Sequence, residues 1–209
     1  MESQARGGTR WKRFAVVMVP SVAATAAIGV ALAQGALAAS FSVSGQSFKV
    51  SADQLVGQDF VQYGSLAEGT DLKGNPTKHP VAVSGFSEAT ISNMCQSVVT
   101  PNVPIFGSIS LELRAGRESS KPVRATNLYL DVAKLEADAK FKNIDIGVAA
   151  GDTRIQPETE KKVNPFGFAQ RAEEATLTDV KQTAWATTAG TFELSGLSLK
   201  LHKGVKECY

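Results

Sequence analysis

Apolar residues alternate with polar ones at a period of two along short runs, and the alternation slips by one residue at recurrent Asn, Asp or Gly positions. Period-two runs demand strands with one buried and one wet face. Ile109-Ser110-Leu111-Glu112-Leu113 and Leu197-Ser198-Leu199-Lys200-Leu201 are clear cases. The slip follows a loose repeat of apolar, any, apolar, any, then a marker. The markers are Gly45, Asn93, Asn127, Asn143, Asp179 and Gly196. At Asn143 the apolar phase passes from Phe141 to Ile144, a step of three. A β-bulge at an αL-tolerant residue produces such a slip, and so does a corner that turns the chain from one sheet to the next.

The markers are spaced near multiples of about 16–18 residues. Stacked rungs give such spacing, and so do strand-turn-strand meanders. The expected fold is therefore mainly β: a β-sandwich or barrel-like antiparallel sheet, with a β-solenoid or long curved sheet as the alternative. Loops are expected at 67–80 and 149–167, and a hairpin tip at 114–122, where Gly, Pro and charges replace periodicity. Phe168–Ala175 and Val132–Ala139 are rich in helix formers and could each give two turns.

The first 38 residues differ from the rest. Arg6, Arg10, Lys12 and Arg13 precede an uncharged apolar run over 14–33. This order is that of a signal peptide, with Ala36-Leu37-Ala38 as an A-x-A site and cleavage before Ala39. Ala31-Leu32-Ala33 is a second such site. The same run is long enough to stay as one hydrophobic transmembrane helix, a signal anchor. Both readings leave the basic flank in the cytoplasm and place 39–209 outside it as a single β-rich domain. The protein is thus expected to be secreted or anchored to the cell membrane. The formal charge of +2 belongs to this leader. The near-neutral remainder offers no footprint for nucleic acid.

Cys95 and Cys208 are the only cysteines. Outside the cytoplasm two thiols pair, and a bridge would tie the penultimate residue to the body. The alternative is a buried free Cys95 and an exposed Cys208.

No constellation for chemistry stands out. The G-x-S-x-G elbow of hydrolases and the G-x-x-x-x-G-K phosphate loop are absent. His79 and His202 are the only histidines, each expected at a loop or strand end. Two distant His and two paired Cys make no zinc site. Asp131, Glu136, Asp138, Glu173 and Glu174 lack calcium-loop spacing and read as a solvated face. Trp185, Phe166 and Phe168 read as ordinary core. No catalytic residue, metal site or cofactor is expected.

The leader, the central NLYLDVAKLEADAKFKNIDIGVAA, the QTAWATTAGTF segment and the terminal KECY together resemble a domain-of-unknown-function family of actinobacterial exported cell-envelope proteins. The resemblance spans essentially the whole chain and implies export. Some members carry the label cholesterol esterase, without a catalytic motif to transfer. The expected function is a non-catalytic envelope protein, a structural or binding module that shelters a lipid ligand or packs against the cell membrane or another envelope protein. The alternative is a lipid-ester hydrolase using His79 or His202 with a nearby Ser.

Overall fold

The computed structural model describes residues 44–153 and 163–209. The apolar leader, with the cleavage residues Ala36, Ala38 and Ala39, lies outside the described residues. Nine strands follow in order: β1 (Phe48–Thr70), β2 (Pro76–Ser92), β3 (Met94–Val103), β4 (Gly107–Ala115), β5 (Val123–Lys142), β6 (Asp145–Ala149), β7 (Phe168–Thr188), β8 (Thr191–Glu193) and β9 (Ser198–Lys203). They form one antiparallel sheet ordered β6-β7-β5-β2-β1-β3-β4-β9, with β8 on β5. β1 also pairs β7, so β1, β2, β5 and β7 close into a ring. The fold is barrel-like. Its pairings are antiparallel throughout, which a coil of stacked rungs would not give.

Five of the six markers have positive φ: Asn93, Asn127, Asn143, Asp179 and Gly196. Asp59, at φ 51°, joins them. Their effect emerges only across strands. β2 and β3 run as one line along β1, and Asn93 sits between them, its Nδ2 donating to both carboxylate oxygens of Asp53 at 3.1 Å. On the other flank of β1, the pairs Ala52↔Val180 and Gln54↔Thr178 bracket Asp53 and Asp179. Asp179, Asp53 and Asn93 therefore form a row. One step along, Ser87 donates to Asp59 Oδ2 at 2.8 Å, and the pairs Phe86↔Leu128 and Glu88↔Thr126 bracket Ser87 and Asn127.

Register survives both rows on β1 and β2, so no residue is inserted there. The side-chain phase slips in neighbouring strands together instead, while β5 shifts register against β7 between Glu136 and Asp138. Buried positions jump from Ala52 to Leu55, Ile91 to Met94 and Leu177 to Val180 at the first row. They jump from Gly57 to Phe60, Phe86 to Ala89, Ala125 to Leu128 and Ala172 to Ala175 at the second. A left-handed residue in every other strand thus creases the sheet along a line, and the creased sheet curls into a ring. Asn and Asp suit the place because their short polar side chains tolerate αL. Asn143 marks a further break, between β5 and β6, which run in succession along β7.

Gly45, the marker without positive φ, serves close approach. A Cβ there would lie 2.6 Å from the backbone of Asp71 and Leu72. Gly57 does the same inside the ring, where a Cβ would overlap the Phe86 ring.

The ring interior is the main core. Leu55, Phe60, Phe86, Leu128 and Leu177 are buried in it. Phe60 lies 5.5 Å from Phe86 and 5.1 Å from Phe141, centroid to centroid, both tilted. A second cluster gathers Val61, Tyr63, Val83 and Ala169. The outward side carries polar pairs such as Gln58 to Glu174 at 2.9 Å.

Three local expectations change. The 67–80 loop shrinks to 71–75, because β1 and β2 extend toward each other and Asp71 Oδ1 caps the turn by accepting from Lys73 and Asn75 backbone N–H, both at 2.8 Å. Residues 114–122 are a crossover, since β4 and β5 do not pair. Phe168–Ala175 and Val132–Ala139 are strand. Their alanines suit helix in isolation, but Ala172 and Ala175 are buried in the main core and Ala169 in the second cluster, and the paired neighbours override propensity.

Candidate functional site

A cavity of about 160 Å³ opens inside the ring. It exists because of what β5 presents there. Leu135, Ala137, Ala139 and Phe141 alternate along its second half and all line the cavity, opposite Phe60, Phe86 and Leu177. Two alanines between two large residues leave space that no other strand fills. Leu135, 37% exposed, stands at the mouth. A smaller space of about 30 Å³ adjoins it, lined by Val50, Met94, Val180 and Phe192 among others. Leu55, Leu130 and Gln182 line both.

No charged residue lines either space. The polar groups are few. Gln62 Nε2 donates to Ser84 Oγ at 2.9 Å, and Gln170 Nε2 donates to Gln62 Oε1 at 2.5 Å. Gln182 is 5% exposed, and its side-chain amide makes no hydrogen bond among the described residues. A mostly apolar pocket with a few placed polar groups is the usual form of a small-molecule site.

The wing β3-β4-β9 leaves the ring, and the C-terminal tail folds over it. Cys95 and Cys208 are bridged, with Cα atoms 5.9 Å apart. Ser110 Oγ donates to the Gly204 carbonyl at 2.7 Å and accepts from Lys206 N–H at 2.8 Å, and Cys208 N–H donates to Ser97 Oγ at 3.0 Å. Lys49 pairs with Glu207 at 3.0 Å.

His202 is register partner of Ser110, and Glu112 follows two residues along the same strand. These are the residue types of a hydrolytic triad, but the chemistry does not assemble. Ser110 is fully buried and its hydroxyl is committed to the tail. His202 Nε2 is buried without a partner. Glu112 turns to Arg114 instead, accepting from its Nε at 3.0 Å, with Lys206 Nζ 3.8 Å away. His79 lies in β2, not in a loop, and stacks on Trp185 with ring centroids 3.6 Å apart. Among the described residues no group of three or more His, Cys, Asp or Glu could hold a metal ion.

The hydrogen bond from Arg114, together with the positive charges of Arg114 and Lys206, holds the Glu112 carboxyl below the ordinary glutamate range. A carboxyl with a lowered folded-state pKa adds stability above its unfolded-state value and loses it as pH falls through the folded value. Thermal melting followed from pH 7 to pH 3 is expected to drop in the acid limb, and Glu112→Gln to flatten that drop. An unchanged acid limb in the variant would assign it to other carboxylates.

Trp185 is only half-buried, and Phe166 and Phe168 are 89% and 64% exposed, so these two phenylalanines are not core. Phe168 pairs Ala149 of the short strand β6, at the end of the sheet. What sequence reasoning missed is Gln182 and the β5 face. Neither has a motif; only ring closure brings Gln182, Ala137 and Phe60 around one space.

No curated protein and no solved structure matches the chain. Residues 44–209, the whole described domain, match a family of unknown function, DUF6230, and the chain belongs to that family.

Proposed function

We propose that this chain is an exported, non-catalytic protein of an actinobacterial cell envelope whose barrel shelters one end of an apolar molecule. The observation that carries the reading is the uncharged cavity of about 160 Å³ with its mouth at Leu135. The volume is close to that of an engineered apolar cavity, about 150 Å³, that stays dry and binds benzene. It suits a fragment of roughly six carbons by that comparison. The ligand's remainder would lie outside, so the barrel takes the terminus of an acyl or prenyl chain rather than a whole lipid. The leader supports export, as a signal peptide or as an anchor in the cell membrane, and a disulfide is at home in an oxidising compartment.

The full-length protein, purified from its host and extracted with organic solvent, is expected to release a lipid visible by mass spectrometry. Ala137→Phe, which fills the cavity beside Phe60, is expected to remove that lipid and to weaken benzene binding at least about tenfold. A lipid-free native protein that also refuses benzene would end the proposal.

A further inference from the structure

We infer that the molecule held in the barrel carries a neutral hydrogen-bonding group, an alcohol, phenol or carbonyl, on its buried end, and that the side-chain amide of Gln182 selects for it. The inference rests on the binding role proposed above and narrows the ligand class.

Three observations carry it. Gln182 is 5% exposed, and its amide, unlike Glu112 Oε2 and His202 Nε2, is not wholly sealed and keeps a little accessible surface. It lines both the larger and the smaller space, which places it at their junction. Its amide has no hydrogen-bond partner among the described residues, whereas the cavity's other amide, Gln62, is held by Ser84 and Gln170. A hydrocarbon filling the cavity would leave the Gln182 donor and acceptor unmatched, which is costly for a buried amide. A hydroxyl or carbonyl would satisfy one of them.

The lining also excludes charge. No Lys, Arg, Asp or Glu reaches either space, so a carboxylate, phosphate or ammonium would enter without a counter-ion. The ligand's charged head, if it has one, stays outside the mouth. In β7 Gln182 is paired between Leu135 of β5, at the mouth, and Val50 of β1. Both strand neighbours are apolar, and the other polar side chains of the smaller space, Gln96 and Thr187, make no hydrogen bond to the amide.

Phenol, benzene and benzoate are suitable probes for titration calorimetry on the full-length protein. The ratio of phenol to benzene affinity is expected to fall about tenfold on Gln182→Leu, a size-conserving change that removes the amide. Benzoate is expected not to bind either form. Comparing native and variant in one buffer cancels any partition of the probes into detergent. Gln182→Met is the second variant, in case leucine's branch disturbs the strand, and melting temperatures show that each is folded. If both probes bind but the ratio is unchanged in the two variants, Gln182 does not select, and the binding role stands without this inference. If benzoate binds as well as phenol, the inference is also overturned. If the native protein yields no lipid on extraction and binds no probe, the binding role itself has failed.

Discussion

Replacing Cys95 and Cys208 together by alanine is expected to lower the unfolding free energy by about 4–5 kcal/mol in the chain-entropy model. The expectation is large because the bridge spans 113 residues of sequence. The untied unfolded chain gains the conformational freedom that the cross-link denies it. The native state loses little geometry, because the tail is also held by Ser97, Ser110 and Lys49. Urea unfolding of the native protein, with and without reductant, and of the double variant checks this. Reductant should move the native midpoint onto that of the variant and leave the variant unmoved. A midpoint shift worth less than about 1 kcal/mol would mean that the polar contacts alone secure the tail. The edge of the wing is where loss should register first. Among the described residues β9 pairs β4 alone, and Leu199 and Leu201 on it are 56% and 70% exposed. A loosened wing would offer an apolar open strand edge, so the double variant is also expected to aggregate at lower protein concentration.

Phe60→Ala is expected to cost about 3–5 kcal/mol, the range for deleting a buried aromatic side chain. Phe60 is 4% exposed and touches the rings of both Phe86 and Phe141. Those rings come from β2 and β5, so one residue of β1 joins three strands of the closed ring. The collapse that could reduce the penalty is limited, because the neighbouring Gly57 carries no side chain to move in and its surface is already covered by Phe86. The deletion also enlarges the cavity it lines. Phe60→Ala should therefore lose stability and gain affinity for ligands larger than benzene. Chemical denaturation gives the first, and titration with naphthalene against benzene gives the second. Lost stability with no change in ligand size preference would mean that the site had collapsed onto the gap.

The sign of each effect was legible to different degrees in the primary sequence. The alternation at Ile109–Leu113 announces β4, and at Leu197–Leu201 it announces β9, because one-sided burial of a strand writes a period of two directly into the chain. The markers Asn93, Asn127, Asn143, Asp179 and Gly196 were legible as places where that phase slips, because few residues tolerate a left-handed backbone. Their alignment into rows was not, since a row is made of residues from separate strands and depends on register. Phe168–Ala175 misleads for the same reason. Its Ala, Glu and Arg content states a local preference, while its pairing with β1 on one side and with β6 and β5 on the other is a property of the assembled sheet.

The sequence alone determined that the chain is mainly β, where its phase slips, and that two cysteines could join the terminus to the body. These properties depend on near neighbours and residue type. The tertiary structure decided that the sheet closes, that Ser110 and His202 sit beneath a tail that claims the hydroxyl, and that Ala137, Ala139 and Gln182 surround an uncharged space. Those depend on contacts between residues scores of positions apart, and a cavity is the absence of side chains from several strands at once, which no single stretch of sequence records.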